Sequence, residues 1–254
     1  MTYTIAVAGK GGVGKTSFCA LLVRWLIEHN RTPILAVDAD PNSNLSEALG
    51  MGETEGSISD ILSKTKDIGG IPANMSQDEF IHFRMHESLT EGEHFDLIAM
   101  GGPEGPGCYC FPNNVLRKHL QKLAKNYETV IMDNEAGLEH ISRGTTTENV
   151  DDLFILSDTS VRSVRSAGRV VELTKDLKTP VKRMHLILTR GKDGDIEALG
   201  HELKKVGIPV IGMIPEDREL VDYELAGRAL YELPAEAISV AATNDILDRT
   251  LGGV

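Results

Sequence analysis

Gly9-Lys10-Gly11-Gly12-Val13-Gly14-Lys15-Thr16 is the run of this chain best equipped for chemistry. It fits Gly-x-x-x-x-Gly-Lys-Ser/Thr, a pattern that needs a strand before it and a helix after it. The glycines let backbone N–H groups curl around phosphate oxygens at a helix N-terminus, where the dipole favours anions. In such a loop Lys15 reaches the outer phosphates and the Thr16 hydroxyl sits on Mg²⁺, while Gly11, Gly12, Val13, Gly14 and Ser17 face the nucleotide. Phosphoryl transfer also needs carboxylates that hold the metal and orient the attacking water. Val37-Asp38-Ala39-Asp40 and Ile131-Met132-Asp133 supply three, each at the end of an apolar run. One acidic residue there could merely cap a helix. Three around a phosphate loop favour metal and water chemistry.

A second constellation is Cys108-Tyr109-Cys110, which follows the turn-rich Gly101–Gly107. A disulfide between cysteines at i and i+2 would close a small, strained ring. As thiolates the pair can grip one soft metal, but a closed site usually wants four ligands. A two-fold axis through the loop would supply the other pair from a second chain. Zn²⁺ in a tetrahedral site and Ni²⁺ in a square-planar one both suit four thiolates. Cys19, within Phe18-Cys19-Ala20-Leu21-Leu22, reads as a small buried hydrophobe. His82 and His86 fall at i and i+4, but nothing nearby completes a site, so surface or packing roles are expected for them.

The elements that must position these residues are written in the apolar periodicity. Strands are expected at Tyr3–Ala8, Pro33–Val37, Phe95–Met100, Thr129–Met132, Leu153–Ser157, Met184–Leu188 and Pro209–Ile214. Several are continuous apolar runs, as a parallel sheet covered on both faces requires. Helical patterns at Lys15–His29, Asn113–Asn126, Ser163–Leu177, Asp195–Val206 and Ala235–Leu251 alternate with them. The expectation is an α/β fold over residues 1–254, one doubly wound and mostly parallel sheet flanked by helices. Residues 52–94 read as an irregular insertion in that single domain.

Composition limits the function classes. The 254 residues carry 26 basic and 38 acidic side chains, a net charge of −12, with 41% apolar residues. An acidic chain without a basic run argues against a nucleic-acid partner. No apolar stretch approaches the ~20 residues that cross a bilayer. The first residues enter a strand without a basic leader region, so a cytoplasmic protein is expected. Residues Ala241 to Val254 lack the Lys/Arg excess of a membrane-surface helix.

Lys10 is a basic residue that ordinary phosphate loops do not require. With it the loop resembles the deviant Walker A box of the MinD/ParA/nitrogenase iron-protein superfamily. The resemblance implies that ATP closes a homodimer, with Lys10 acting in trans on the partner's nucleotide. It assigns Asp40 to activating water, Asp38 to the first switch and Asp133 to the metal shell of the second, with Thr16, Asp38 and Asp133 around Mg²⁺. The stretch Gly107-Cys108-Tyr109-Cys110, with Met132–His140 and Ser142-Arg143-Gly144-Thr145, is similar to the CooC/AcsF maturation ATPases. That likeness implies a dimer that carries nickel on four thiolates of Cys108 and Cys110. The client would be carbon monoxide dehydrogenase or acetyl-CoA synthase.

Relatives usually carry Asn before Lys or Arg at the purine, whereas this chain has Thr189-Arg190. Pro215, Glu216 and Asp217 stand where relatives wrap the base. Two other activities within the superfamily are a positional or partitioning ATPase and an iron–sulfur electron carrier. The first needs a basic or membrane-seeking face, and the second usually places its cysteines in separate loops.

Overall fold

The strands that read as unbroken apolar runs are those with both faces covered. In the computed structural model, residues 2–40, 44–52, 57–58, 71–72, 74–100, 112–134, 149–175 and 180–253 are described. The strands are β1 (Tyr3–Gly9), β2 (Ile34–Ala39), β3 (Leu89–Glu91), β4 (Phe95–Ala99), β5 (Thr129–Asn134), β6 (Val150–Asp158), β7 (Val181–Gly191) and β8 (Val210–Pro215). They form one eight-stranded sheet in the order β3-β4-β2-β5-β1-β6-β7-β8. All neighbours are parallel except the short edge strand β3, which pairs antiparallel with β4. The doubly wound, mostly parallel sheet expected from the sequence is therefore present.

Helices α1 (Lys15–Glu28), α2 (Leu45–Ala48), α3 (Gln77–Glu87), α4 (Pro112–Ala124), α5 (Val161–Lys175), α6 (Asp195–Ala198), α7 (Gly200–Val206), α8 (Arg218–Leu225) and α9 (Ile238–Leu251) connect the strands. Alternate strand residues point to opposite faces. Ala6, Val37, Met132, Ile155 and Leu188 pack with Leu120 of α4, Val164 of α5 and Leu203 of α7. Ile5, Val7, Ile131, Phe154 and Ile187 pack with Phe18, Leu22 and Trp25 of α1 and Leu247 of α9. Trp25 is fully buried, and its indole N–H donates to Asp248 Oδ1 at 2.8 Å, tying α1 to α9.

The edge strand β3 and the short helix α2 had no counterpart among the expected elements, and three further regions differ from the sequence expectation. Within 52–94 lies a regular helix, α3, opened by a capping box. The Ser76 hydroxyl accepts from Glu79 N–H at 3.3 Å, and Glu79 accepts from Ser76 N–H at 2.9 Å. This helix buries Phe80, Ile81 and Met85, too few apolar positions to make a strong period. The 195–206 pattern is broken at Leu199 into α6 and α7. Beyond β8, α8 is capped by Asp217, whose Oδ1 accepts from Glu219 N–H at 2.9 Å.

The two ends of the parallel strands carry different chemistry. At the N-terminal end, the fully buried Asp152 of β6 accepts from Arg183 Nε at 2.8 Å and Nη2 at 2.7 Å. The Tyr3 hydroxyl also donates to it, and His185 Nε2 lies 2.7 Å from Oδ1. Burial alone would raise this carboxyl, but the bonds from His185, Arg183 and Tyr3 outweigh it and hold the group below the usual carboxylate range. The C-terminal end, where ligands sit in open α/β sheets, carries the phosphate loop.

Candidate nucleotide-binding site

Gly9 closes β1 where the backbone passes close to β6. A Cβ on Gly9 would lie 2.4 Å from the Leu156 carbonyl oxygen, so no other residue fits without moving a strand. Five residues on, Gly14 is the N-cap of α1 at φ 87°, a left-handed conformation that glycine adopts without strain. No side chain caps α1, and its first turn holds no acidic residue. The unsatisfied N–H donors of that turn therefore face outward, which is the arrangement an anion needs.

Lys15 follows at 7% exposure, its stem packed and its charge directed within the site. The Thr16 hydroxyl donates to Asp133 Oδ2 at 2.6 Å. Cys19, one turn further along α1, is fully buried. Burial pushes the Asp133 carboxyl up to about 6, against the opposing pull of Thr16 and Lys15. Its second oxygen, Oδ1, is buried with no hydrogen-bond partner among the described residues. A carboxylate oxygen left in that state beside a threonine hydroxyl suits a hydrated Mg²⁺ ion.

Asp38 pairs in register with Asp133 across β2 and β5 and is fully buried. Both its oxygens accept backbone N–H groups, Oδ1 from Asp40 at 3.0 Å and Oδ2 from Leu45 at 2.9 Å. Burial is the main reason its carboxyl rises to about 7; the Asp133 and Asp40 charges add to it, and the two N–H bonds oppose it. Here Asp38 ties the end of β2 to the start of α2, with its oxygens committed to backbone.

The loop opens into a cavity of about 630 Å³, within the usual range for small-molecule sites of roughly 300–1,000 Å³. Its walls include Gly11 to Ser17, Asp40, Thr189, Arg190, Pro215 and Glu216, so the strand ends unite most residues singled out in the sequence. Thr189 is 6% exposed, and its hydroxyl donates to the Val13 carbonyl at 2.9 Å. Arg190, at φ 54°, donates from its guanidinium to the Gly12 carbonyl. Thr189 and Arg190, expected at the base, thus hold the phosphate loop from β7. Lys10 is exposed on the loop. Asp158 lies below the usual carboxylate range because the Ser160 bonds and the Arg190 and Lys10 charges outweigh its burial.

Several site residues had escaped the sequence reading. Asn134, buried at the end of β5, donates from Nδ2 to the Val7 carbonyl at 2.9 Å and clamps β5 to β1. A polar residue directly after Asp133 in an apolar strand was the available signal. Glu224 of α8 accepts from the Ser17 hydroxyl at 2.7 Å. Asp217, expected beside the base, lines the cavity and also joins α8 to α9 by accepting from Ser239 N–H at 3.0 Å and its hydroxyl at 2.6 Å. Glu224 could not be located while α8 was unrecognised. Cys108 and Cys110 lie outside the described residues.

Residues 4–230 match the family model described as the CobQ/CobB/MinD/ParA nucleotide binding domain. The chain is 42% identical over 232 residues to the uncharacterized ATP-binding protein MJ0685 of Methanocaldococcus jannaschii, covering 91% of each. It is 30% identical over 254 residues to the carbon monoxide dehydrogenase accessory protein CooC of Rhodospirillum rubrum, covering 90% of this chain and 89% of that one. In fold it is similar to the MinD cell division protein of Aquifex aeolicus, with a TM-score of 0.71 at 22% identity over 99% of this chain and 97% of that one.

Proposed function

The chain belongs to the CobQ/CobB/MinD/ParA nucleotide-binding family, and from that premise we propose that it is a cytoplasmic ATPase that loads nickel into an enzyme. ATP binds with its phosphates on Gly11–Ser17, and Thr16 and Asp133, with Asp38 beside them in register on β2, would hold Mg²⁺. Bound Mg²⁺ supplies charge neutralisation on the phosphate oxygens. Lys15 holds the outer phosphates, and Asp40 on the cavity wall orients the water for hydrolysis to ADP and phosphate. Lys10, exposed on the loop, would reach a second chain's nucleotide and so couple ATP to homodimer formation.

Cargo binding rests on Cys108 and Cys110, whose four thiolates in a dimer would take Ni²⁺ or Zn²⁺. One observation carries the reading: a built phosphate site and a Cys-x-Cys pair occur in one chain that is 30% identical to a protein named for carbon monoxide dehydrogenase accessory function. The client is then carbon monoxide dehydrogenase or acetyl-CoA synthase, each a recipient of nickel.

With ATP, the slow-hydrolysis variant Asp40→Ala elutes as a dimer and Lys10→Ala as a monomer. Nickel added to the dimer gives a sulfur-to-metal charge-transfer band at about one ion per two chains, which Cys108→Ala removes. Transfer is then measured into apo carbon monoxide dehydrogenase and apo acetyl-CoA synthase side by side. A thiolate band that survives in Cys108→Ala sinks the cargo reading. Co-sedimentation with DNA or liposomes at low salt would favour the positional ATPase instead.

A further inference from the structure

His82 and His86, unpartnered along the sequence, gain a third imidazole in the fold. α3 packs against α4, and His119 of α4 arrives beside them. Ring centres are 4.7 Å apart for His82 and His86 and 5.5 Å apart for His82 and His119. The three rings border a cavity of about 80 Å³ closed by Met85, Lys122 and Asn126. This lies outside the nucleotide cavity, whose walls include none of these residues.

We propose that His82, His86 and His119 form a binding site for one borderline divalent transition-metal cation, such as Zn²⁺, Co²⁺ or Ni²⁺. Neutral imidazoles suit these ions. A metal about 2.1 Å from a nitrogen of each ring lies about 3.2 Å from each ring centre, which sets the centres roughly 4.5–5.2 Å apart at tetrahedral to right angles. The His82–His86 separation of 4.7 Å falls within that range, and the His82–His119 separation of 5.5 Å lies 0.3 Å beyond it. Among the described residues no three His, Cys, Asp or Glu side chains already converge at coordinating distance. Closing the gap takes rotation of imidazole rings about a soft terminal torsion.

The burial pattern makes that rotation cheap. His119 is 4% exposed and fixed in the helix interface, whereas His82 and His86 are exposed and turn without disturbing the core. Their i, i+4 spacing on α3 holds them on one face, so both can approach the anchored ring together. The cavity holds an ion with one or two waters, at roughly 30 Å³ per water. Asn126 offers an amide oxygen as a further donor, and Lys122 on the rim is exposed, with its charge in solvent.

This site goes beyond the cysteine pair and is tested without it. Co²⁺ is titrated into the full chain carrying Cys108→Ala and Cys110→Ala. The expected result is one Co²⁺ per chain, with the ligand-field absorption of nitrogen and oxygen coordination, displaced by Zn²⁺. His82→Gln and His86→Gln, both at exposed positions, each weaken binding by about tenfold or more, since even second-shell losses cost that much. Neither alters the thermal midpoint of the metal-free protein. His119→Gln is secondary because the ring is buried. No stoichiometric Co²⁺ in the double-cysteine variant, or unchanged affinity in both exposed-histidine variants, overturns the site. Either outcome leaves the cysteine reading untouched, because the thiolate band is measured separately.

Discussion

The Thr189 hydroxyl donates to the Val13 carbonyl at 2.9 Å, joining the end of β7 to the middle of the phosphate loop. β7 is two strands from β1, with β6 between them. The loop is therefore braced from a strand it does not touch in the sheet. Arg190 reinforces the brace at the Gly12 carbonyl.

Thr189→Val removes the donor while keeping the shape, and leaves the buried Val13 carbonyl without that partner. An unsatisfied buried acceptor costs about 1–3 kcal/mol. The thermal midpoint should fall by several degrees, and ATP affinity by about tenfold if 1.4 kcal/mol of the loss is spent on loop order. Thr189→Ser should recover most of both. Calorimetric titration of ATP into the three proteins decides it, and wild-type affinity in Thr189→Val would remove the brace from the account.

Thr16 and Asp133 share a hydrogen bond of 2.6 Å, and Asp133 has a second oxygen without a partner among the described residues. Thr16→Ala and Asp133→Asn should each abolish most of the difference between ATP affinity in Mg²⁺ and in EDTA. A loss of about tenfold in Mg²⁺ is expected, the scale of one metal-shell contact. Affinity in EDTA should stay near wild type. Equal losses in both buffers would mean that these residues serve the fold and not the ion.

Asp152 is held below the usual carboxylate range by His185, Arg183 and Tyr3 despite its burial. A depressed folded value means stability that is fully present above the unfolded carboxylate range and is lost as pH falls through the folded value. Asp152→Asn should therefore destabilise the protein by about 2–3 kcal/mol at pH 6–8, the low end for a broken buried pair. That low end applies because Arg183 is 42% exposed. The gap between variant and wild type should narrow below about pH 4, near the unfolded Asp value. Urea melts across that range test the sign, and a gap that widens on acidification contradicts it.

Asp217 caps α8 through Oδ1 and binds Ser239, at the start of α9, through Oδ2. Asp217→Ala loses a cap, worth about 1 kcal/mol, and orphans the buried Ser239 groups. A total loss of about 2–3 kcal/mol is expected, since each unsatisfied group adds about 1 kcal/mol or more. Because α8 walls the nucleotide cavity, ATP affinity should fall as well. Asp217→Asn should keep part of the cap. Stability unchanged in Asp217→Ala would refute the joint.

Local patterns carried much of the fold into view. β1, β2 and β5 are short apolar runs buried on both faces, and that composition is legible without the structure. The phosphate loop was equally legible, because Gly9, Gly14, Lys15 and Thr16 act through backbone geometry and spacing within one turn of chain. α3 escaped because its apolar face is narrow, although Ser76 and Glu79 had marked its start. α8 escaped because its eight residues present one buried side chain, Tyr223.

The sequence by itself determined the chemistry that neighbours along the chain can do: an anion site at a strand-to-helix turn, acidic strand ends, and a cysteine pair two residues apart. The tertiary structure decided which distant groups complete that chemistry. Asp133 meets Thr16 from 117 residues away, Thr189 meets Val13 from 176, and His119 meets His82 across two helices. Spacing along a chain fixes what lies on one face of one element. Which faces come together depends on strand order and helix packing, set by burial summed over the whole sheet.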